Sequence, residues 1–212
     1  YNTAAVKYPF GADAYFMFSS TFYHEPDTLE VHVATSRDGV EYDRWKQPWL
    51  GPNTEGAFDS RCVYMATGMV RRGDELLMYY AGYDHPHGSG HERPDYCGGI
   101  GCVRLRLDGF VSQDAPRSGS VPTTRPMTFE GSRLEVNMDA GAGGYLQVEL
   151  QDAEGRPVAG YSGEEADRLW NNATNRIATW NGTEDVSELA GTPVRLQLRG
   201  EGVKLYSFQF RT

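Results

Sequence analysis

The fold follows from the stretch Ala14-Tyr15-Phe16-Met17-Phe18-Ser19-Ser20, an aromatic run that precedes Leu29-Glu30-Val31-His32-Val33-Ala34-Thr35 and the turn Ser36-Arg37-Asp38-Gly39. The same order recurs in Leu76-Leu77-Met78-Tyr79-Tyr80-Ala81-Gly82, then in Gly99-Ile100-Gly101-Cys102-Val103-Arg104-Leu105-Arg106-Leu107, and ends with Asp108-Gly109. Repeated strands with a hairpin turn at a fixed place predict blades of a β-propeller, which needs about 4–8 blades to close its ring. Because two copies cannot close a ring, we expect the missing N-terminal blades outside this sequence or in a second chain.

Each copy predicts four strands. A short first strand is expected at residues 4–8 and again at residues 62–70, and the aromatic and alternating runs supply the next two strands. The Asp-Gly steps supply the positive φ angles of a tight hairpin, so the outermost strands are expected at residues 40–45 and 110–112.

The composition changes at Pro116-Arg117-Ser118-Gly119-Ser120-Val121-Pro122, which has the Pro, Gly and Ser content of a domain junction. We therefore predict an all-β chain of two domains, a partial β-propeller of about two four-stranded blades at residues 1–116 and an antiparallel β-sandwich at residues 117–212. Apolar residues alternate after the junction, which predicts sheets with one buried face. The alternating residues are Leu134, Val136 and Met138, then Leu146, Val148 and Leu150, then Val194, Leu196 and Leu198, then Leu205, Phe208 and Phe210.

The net charge limits which classes of partner the chain can bind, and the cysteine content limits which cross-links it can form. The formal net charge of −9 disfavours nucleic acid and anionic membrane surfaces, since both are bound through basic faces. No apolar run approaches the ~20 residues that span a bilayer, so we expect no membrane partner. The three cysteines, Cys62, Cys97 and Cys102, form neither a CxxC pair nor an even set, and we interpret them as small buried hydrophobes. A disulfide between Cys97 and Cys102 is the less favoured alternative.

The order of several short motifs resembles the last two blades and the C-terminal sandwich of five-bladed propeller proteins related to glycoside hydrolases, the relatives of invertases and arabinanases. The resemblance covers essentially the whole chain. It rests on Tyr1-Asn2-Thr3-Ala4-Ala5-Val6-Lys7-Tyr8-Pro9, Ala34-Thr35-Ser36-Arg37-Asp38-Gly39-Val40, Gly56-Ala57-Phe58-Asp59-Ser60-Arg61, Asp74-Glu75-Leu76-Leu77-Met78-Tyr79-Tyr80-Ala81-Gly82, Arg106-Leu107-Asp108-Gly109-Phe110-Val111-Ser112 and Leu205-Tyr206-Ser207-Phe208-Gln209-Phe210. In that family paired carboxylates of the first three blades cleave the glycosidic bond. The resemblance thus implies a carbohydrate ligand, a secreted or periplasmic location, and catalytic carboxylates outside this chain.

Polar residues that open the predicted inner strands are the candidates for sugar binding, because inner strands converge on the axis of a propeller. Asn2 opens the first inner strand, and Asp59 and Arg61 open the second. An aspartate beside an arginine suits hydrogen bonding to sugar hydroxyls, and it equally suits an ion pair that closes a blade. Both interpretations stay open.

A histidine-rich loop, Asp84-His85-Pro86-His87-Gly88-Ser89-Gly90-His91-Glu92, supplies the remaining candidates. Binding residues favour loops between rigid elements, so we expect Asp84, His85 and His87 to contact sugar. A plain solvated loop and a metal site are the alternatives, although alternate histidines in a Gly-Pro loop lack the i, i+4 geometry of a helical metal pair. We expect no cofactor, while Asn137 and Asp139 either bind calcium through oxygen ligands or form a tight hairpin.

Together these features predict a fragment of a glycoside hydrolase-like, carbohydrate-active protein that contributes the far wall of a sugar pocket and a C-terminal sandwich. Whether the parent protein is an active enzyme stays open. The alternative is a non-catalytic carbohydrate-binding or structural packing module.

Overall fold

The computed structural model describes residues 1–89 and 97–212. The chain divides into two compact units, Tyr1–Leu105 and Arg106–Thr212. The described residues form fourteen β-strands and one 3-10 turn, Ser187–Leu189, which confirms the all-β prediction. The predicted domain boundary after residue 116 stays a prediction.

Four consecutive strands of the first unit form an antiparallel meander. They are β1 (Thr3–Lys7), β2 (Tyr15–Tyr23), β3 (Thr28–Ser36) and β4 (Asp43–Arg44). The strand expected at residues 40–45 is only two residues long, because the Asp38 carboxylate accepts hydrogen bonds from the backbone N–H groups of residues 40 and 41 at 2.8 and 3.0 Å. These N–H groups belong to the turn and are not available to the sheet.

The second copy of the repeat forms β5 (Cys62–Met65), β6 (Val70–Arg72), β7 (Glu75–Tyr83) and β8 (Gly98–Arg106). Both β5 and β6 pair with β7, at its two ends, so the strand expected at residues 62–70 is interrupted. The interruption contains Gly68 at a φ of +110°, a conformation that is incompatible with a continuous strand. A parallel pair between β3 and β5 joins the two copies into one eight-stranded sheet.

The predicted outermost strand at residues 110–112 is wrong. Residues 107–110 form a turn, with Asp108 at a φ of +59°. The chain then enters β9 (Gln113–Ala115), which pairs with β14 (Val203–Arg211) of the second unit. The Asp-Gly step therefore supplies a turn, but the strand that follows it has a partner far away in sequence.

The second unit contains two antiparallel sheets, as predicted for a sandwich. One has the order β12 (Asn172–Ile177), β10 (Arg133–Asp139), β14, β9. The other pairs β11 (Tyr145–Asp152) with β13 (Val194–Glu201). Isolated bridges extend the second sheet on both sides, along β13 from residues 120–127 and along β11 from residues 157–169.

The core of the second unit confirms the predicted alternation. Nine predicted residues are buried and share one cluster: Leu134, Val136, Met138, Leu146, Val148, Leu150, Val194, Leu196 and Leu198. Leu205, Phe208 and Phe210 are partly buried and pack against the same cluster. Trp180 completes the core, and its indole N–H donates a 2.8 Å hydrogen bond to the carbonyl oxygen of Val148.

The expectation that all three cysteines are buried is wrong for two of them. Cys62 is buried, but Cys97 and Cys102 are exposed, and all three are free thiols. Burial raises the pKa of the Cys62 thiol. None of the helical structure in residues 1–89 and 97–212 has the length and apolar character required to cross a bilayer.

Candidate functional site

Asp59 is the buried carboxylate of the predicted set, with 3% of its surface exposed. Its Oδ2 accepts a 2.7 Å hydrogen bond from the Tyr80 hydroxyl, whereas its Oδ1 is buried and has no hydrogen-bond partner among residues 1–89 and 97–212. The pKa of Tyr80 is raised to about 12, mainly by burial and to a smaller extent by the hydrogen bond to Asp59. The tyrosine therefore stays a neutral donor to this carboxylate throughout the physiological pH range.

The position of Asp59 depends on a glycine in the neighbouring strand. Gly82 of β7 lies against Asp59, and a Cβ atom at residue 82 would lie 2.4 Å from the Asp59 Cβ and 2.9 Å from the Phe58 ring. Real Cβ atoms essentially never approach other atoms this closely, so only glycine fits here without a shift of the backbone. The Phe58 and Tyr80 rings are nearly parallel, with centroids 6.3 Å apart.

The ion-pair interpretation required a contact between the Arg61 and Asp59 side chains, but Arg61 pairs with Glu55 instead. Its guanidinium lies 3.5 Å from the Glu55 carboxylate, in a pair that is largely exposed. The backbone of Arg61 donates to the carbonyl oxygen of Tyr83 and accepts from the N–H of Leu29, which fixes the start of β5 between β3 and β7. The side chain thus stays accessible while its backbone is part of the sheet.

The loop after β7 is held by its own polar groups and by the β2–β3 turn. Asp84 accepts a 2.9 Å hydrogen bond from the N–H of Cys97, and His85 is 7% exposed. Asp27, at a φ of +53°, accepts hydrogen bonds from the N–H groups of residues 87 and 88, at 2.8 Å each. The loop residues His91 and Glu92 lie outside the described residues.

His87 lies in an aromatic cluster with Tyr1, Phe22 and Tyr64, which we call the His87 cluster. Its Nδ1 is 2.7 Å from the Tyr64 hydroxyl, and its ring centroid is 4.5 Å from that of Tyr1 and 5.4 Å from that of Phe22. Burial raises the pKa of Tyr64, so its hydroxyl stays protonated. Asn2 adjoins this cluster, donating a long 3.4 Å hydrogen bond to the carbonyl oxygen of Met65.

Asp59 and the His87 cluster lie on opposite faces of the sheet. Successive residues of a strand point to opposite faces, and directly paired residues of antiparallel strands share a face. Met65 of β5 pairs with Tyr80, which binds Asp59, whereas the preceding residue, Tyr64, contacts His87. The structure thus brings Asn2 and His87 to one region and places Asp59 in another.

Sequence reasoning missed Asp27, Tyr1, Phe22 and Tyr64 as site residues. No motif or spacing connects these residues, because they meet only through the pairing of β2, β3 and β5. A local signal existed for Asp27 alone, since an aspartate between two strand-like runs is a common turn residue.

Metal ligands do not converge in the described part of the chain, where no three His, Cys, Asp or Glu side chains form a group able to hold an ion. Asn137 is buried, with its Nδ2 donating to the carbonyl oxygen of Leu107 and its Oδ1 accepting from Arg106. Asp139 accepts from the N–H of Gly141. The hairpin interpretation is wrong, because β10 pairs with β12 and β14 whereas β11 pairs with β13, so the turn at residues 140–144 connects two different sheets.

Comparison with known proteins finds low similarity to solved structures. No protein-family model matches the chain, and no curated protein matches it. Among solved structures the chain is similar to a glycoside hydrolase family 43 arabinoxylan arabinofuranohydrolase from Bacillus subtilis, crystallised in complex with cellotetraose. The identity is 12% and the TM-score is 0.28, over 100% of this chain and 54% of that one. The chain thus spans about half the length of that enzyme.

Proposed function

We propose that this chain is part of a glycoside hydrolase-like, carbohydrate-active protein and that its first unit contributes a wall of a sugar-binding pocket. The motif order described above supports the class. The Oδ1 of Asp59, which has no hydrogen-bond partner in the described part of the chain, supports the site. A buried carboxylate oxygen without a hydrogen bond costs free energy, and such groups in native structures call for a specific explanation. A sugar hydroxyl is a donor that would satisfy this oxygen.

The surface on the other face of the sheet supplies complementary chemistry. The rings of the His87 cluster offer apolar faces to a sugar, and Asn2 offers an exposed amide at their edge. Aromatic faces combined with amide groups suit the binding of a polyhydroxylated ring, so this face is a second contact region, separate from Asp59. We therefore keep Asn2, Asp59, Arg61, Asp84, His85 and His87 as the proposed sugar-binding residues.

We place the catalytic carboxylates of this protein outside the chain. The acidic residues nearest to the proposed site are already engaged, Glu55 with Arg61, Asp59 with Tyr80 and Asp84 with the backbone of residue 97. Purified alone, the chain is expected to bind polysaccharide without hydrolysing arabinan, xylan or fructan. Sustained release of reducing sugar by the pure chain would refute this placement and assign the catalytic pair to two residues among Glu55, Asp59 and Asp84.

The decisive experiment compares Asp59→Ala with Tyr80→Phe in affinity electrophoresis against a polysaccharide panel, together with denaturant unfolding. If Asp59 contacts sugar, Asp59→Ala lowers affinity by about 1–3 kcal/mol, while Tyr80→Phe keeps the carboxylate and most of the affinity. If Asp59 is only structural, both variants lose stability and the folded fraction of each binds normally. That second result would remove Asp59 from the site.

A non-catalytic carbohydrate-binding module is the second candidate function. It is favoured by Trp170 in the second unit, which is 41% exposed and lies 5.6 Å from the Tyr145 ring between centroids. Polysaccharide binding that is lost in Trp170→Ala and unchanged in Asp59→Ala would select this function over the first.

A further inference from the structure

A cleft opens at one edge of the sandwich because two chain segments separate there. Ala166 and Trp180 form a bridge, and the N–H of residue 167 donates to the carbonyl oxygen of residue 179 at 2.9 Å. Beyond this point Leu169 joins β11 of one sheet, whereas Ile177 joins β10 of the other. The gap between the two segments is a cleft of about 450 Å³.

Two arginines line this cleft, Arg168 and Arg176. No ion pair of either guanidinium is found among the described residues, although the chain carries a net charge of −9. Arg168 stacks 4.3 Å above the Tyr145 ring and lies 5.8 Å from the Trp170 ring. Stacking uses the face of a guanidinium and leaves its in-plane N–H donors available to an anion.

The other lining groups do not neutralise the arginines. Asp167 accepts hydrogen bonds at Oδ2 from the Thr179 hydroxyl at 2.7 Å and from the N–H of Gly182 at 2.8 Å. Both bonds lower the pKa of Asp167, and the bond from Thr179 has the larger effect. Asp167 therefore stays ionised, and its carboxylate is directed at the turn that contains Gly182. One carboxylate against two guanidinium groups leaves the cleft with a net positive charge.

We propose that this cleft binds an acidic polysaccharide by the carboxylate of a uronic-acid residue, with Arg168 and Arg176 as the binding residues. The planar fork of arginine matches the two oxygens of a carboxylate, and the exposed Trp170 ring beside Arg168 offers a surface to the sugar ring. The preference for an anion rests on the two arginines. That a sugar carries this anion rests on the proposed function.

The first test is calorimetric titration of the full chain with a tetramer of galacturonic acid and with its methyl ester, which is neutral but otherwise identical. We expect the acid to bind at least about tenfold more tightly than the ester, and 0.5 M salt to weaken it, because charged contacts at an open surface are screened. Equal affinities for acid and ester would overturn the proposal. Tighter binding of a sulfated neutral tetramer would overturn the assignment to a carboxylate.

The second test assigns the binding residues. Arg176 lies on the exposed edge strand β12, and Arg176→Gln should weaken binding of the acid tetramer about five- to tenfold. Arg125 is an exposed arginine of the same unit outside the cleft, and Arg125→Gln should leave this binding unchanged. Arg176→Lys keeps the charge but loses the fork and should also weaken binding. An Arg176→Gln effect below twofold, in a folded protein, would refute the site. Retention of tetramer binding in Asp59→Ala separates this cleft from the pocket proposed in the first unit.

Discussion

Replacing Arg106 with glutamine is expected to destabilise the second unit by about 2–5 kcal/mol. Its guanidinium donates to Asn137 Oδ1 at 3.0 Å, to Asn172 Oδ1 at 2.7 Å, and to the carbonyl oxygens of Met138 and Ala173 at 3.3 and 3.1 Å. It also lies 4.4 Å above the Tyr206 ring. One side chain therefore connects β10, β12 and β14.

The magnitude follows from which acceptors lose their donor. Asn137 is 2% exposed, so its Oδ1 would be left without a partner in a site that excludes water, at a cost of about 1–3 kcal/mol. The acceptors nearer the surface regain water and add less, about 1 kcal/mol together, since Arg106 itself is only half-buried. Loss of stacking on Tyr206 adds a few tenths to about 1 kcal/mol.

Hydrogen exchange of the peptide that covers β10, combined with denaturant unfolding, measures this loss within the second unit. Arg104→Gln is the matched control, because Arg104 pairs with Glu75 at an exposed, solvent-screened site and its loss should cost little stability. If Arg106→Gln costs no more than Arg104→Gln, the Arg106 contacts do not stabilise the sandwich and the reasoning fails.

Three further predictions concern the first unit. Gly82→Ala should destabilise it by about 1–3 kcal/mol through overpacking, whereas Gly51→Ala, with open space around the new methyl group, should be neutral in the same denaturant titration. The pKa of Tyr80 in the folded state is raised from 10.0 to about 12, so the stability that the protonated phenol contributes is complete below pH 10 and is lost as the pH rises through about 12. The free energy of unfolding of Tyr80→Phe should therefore depend less on pH between 10 and 12 than that of the unmodified chain. An identical pH dependence of the two proteins would contradict this prediction. Asp27→Ala should accelerate proteolysis in the loop of residues 84–89, whereas Asp27→Asn, which keeps a side-chain acceptor and tolerates positive φ, should accelerate it less; equal rates in both variants would argue against the anchoring role.

Local sequence patterns predicted the long strands of the first unit and the hydrophobic core of the second unit. The aromatic and alternating runs became β2, β3, β7 and β8, and the period-two residues after the junction became the buried face of the sandwich. Burial on one face of a strand leaves a direct trace in sequence, so these elements are readable without knowledge of their partners.

Strand partners were not predictable in the same way. Asp38-Gly39 and Asp108-Gly109 look alike in sequence, and each forms a turn. After the first turn the chain returns to its neighbour β3, but after the second it pairs with β14, about ninety residues later. The competing partners differ in what the rest of the chain offers, which a local turn signal does not contain.

The candidate site shows the same limit at the level of side chains. The sequence grouped Asp59 with Arg61 because they are two residues apart, yet their side chains bind Tyr80 and Glu55 respectively. A preference for adjacent opposite charges is weak at an exposed position, where screening leaves little to gain, so the phenol donor determines the environment of the buried carboxylate.

The placement of Asp59 and His87 on opposite faces gives Arg61 a particular importance. A ligand that contacts both groups has to pass the edge of the sheet where β5 begins, since the paired strands β5 and β7 separate the two faces. Arg61 directly precedes β5, with its backbone held by β3 and β7 and its side chain 43% exposed. Its exposed ion pair with Glu55 is weak enough for a ligand to replace. Of the six proposed binding residues, Arg61 is therefore the one positioned to contribute to a pocket on either face.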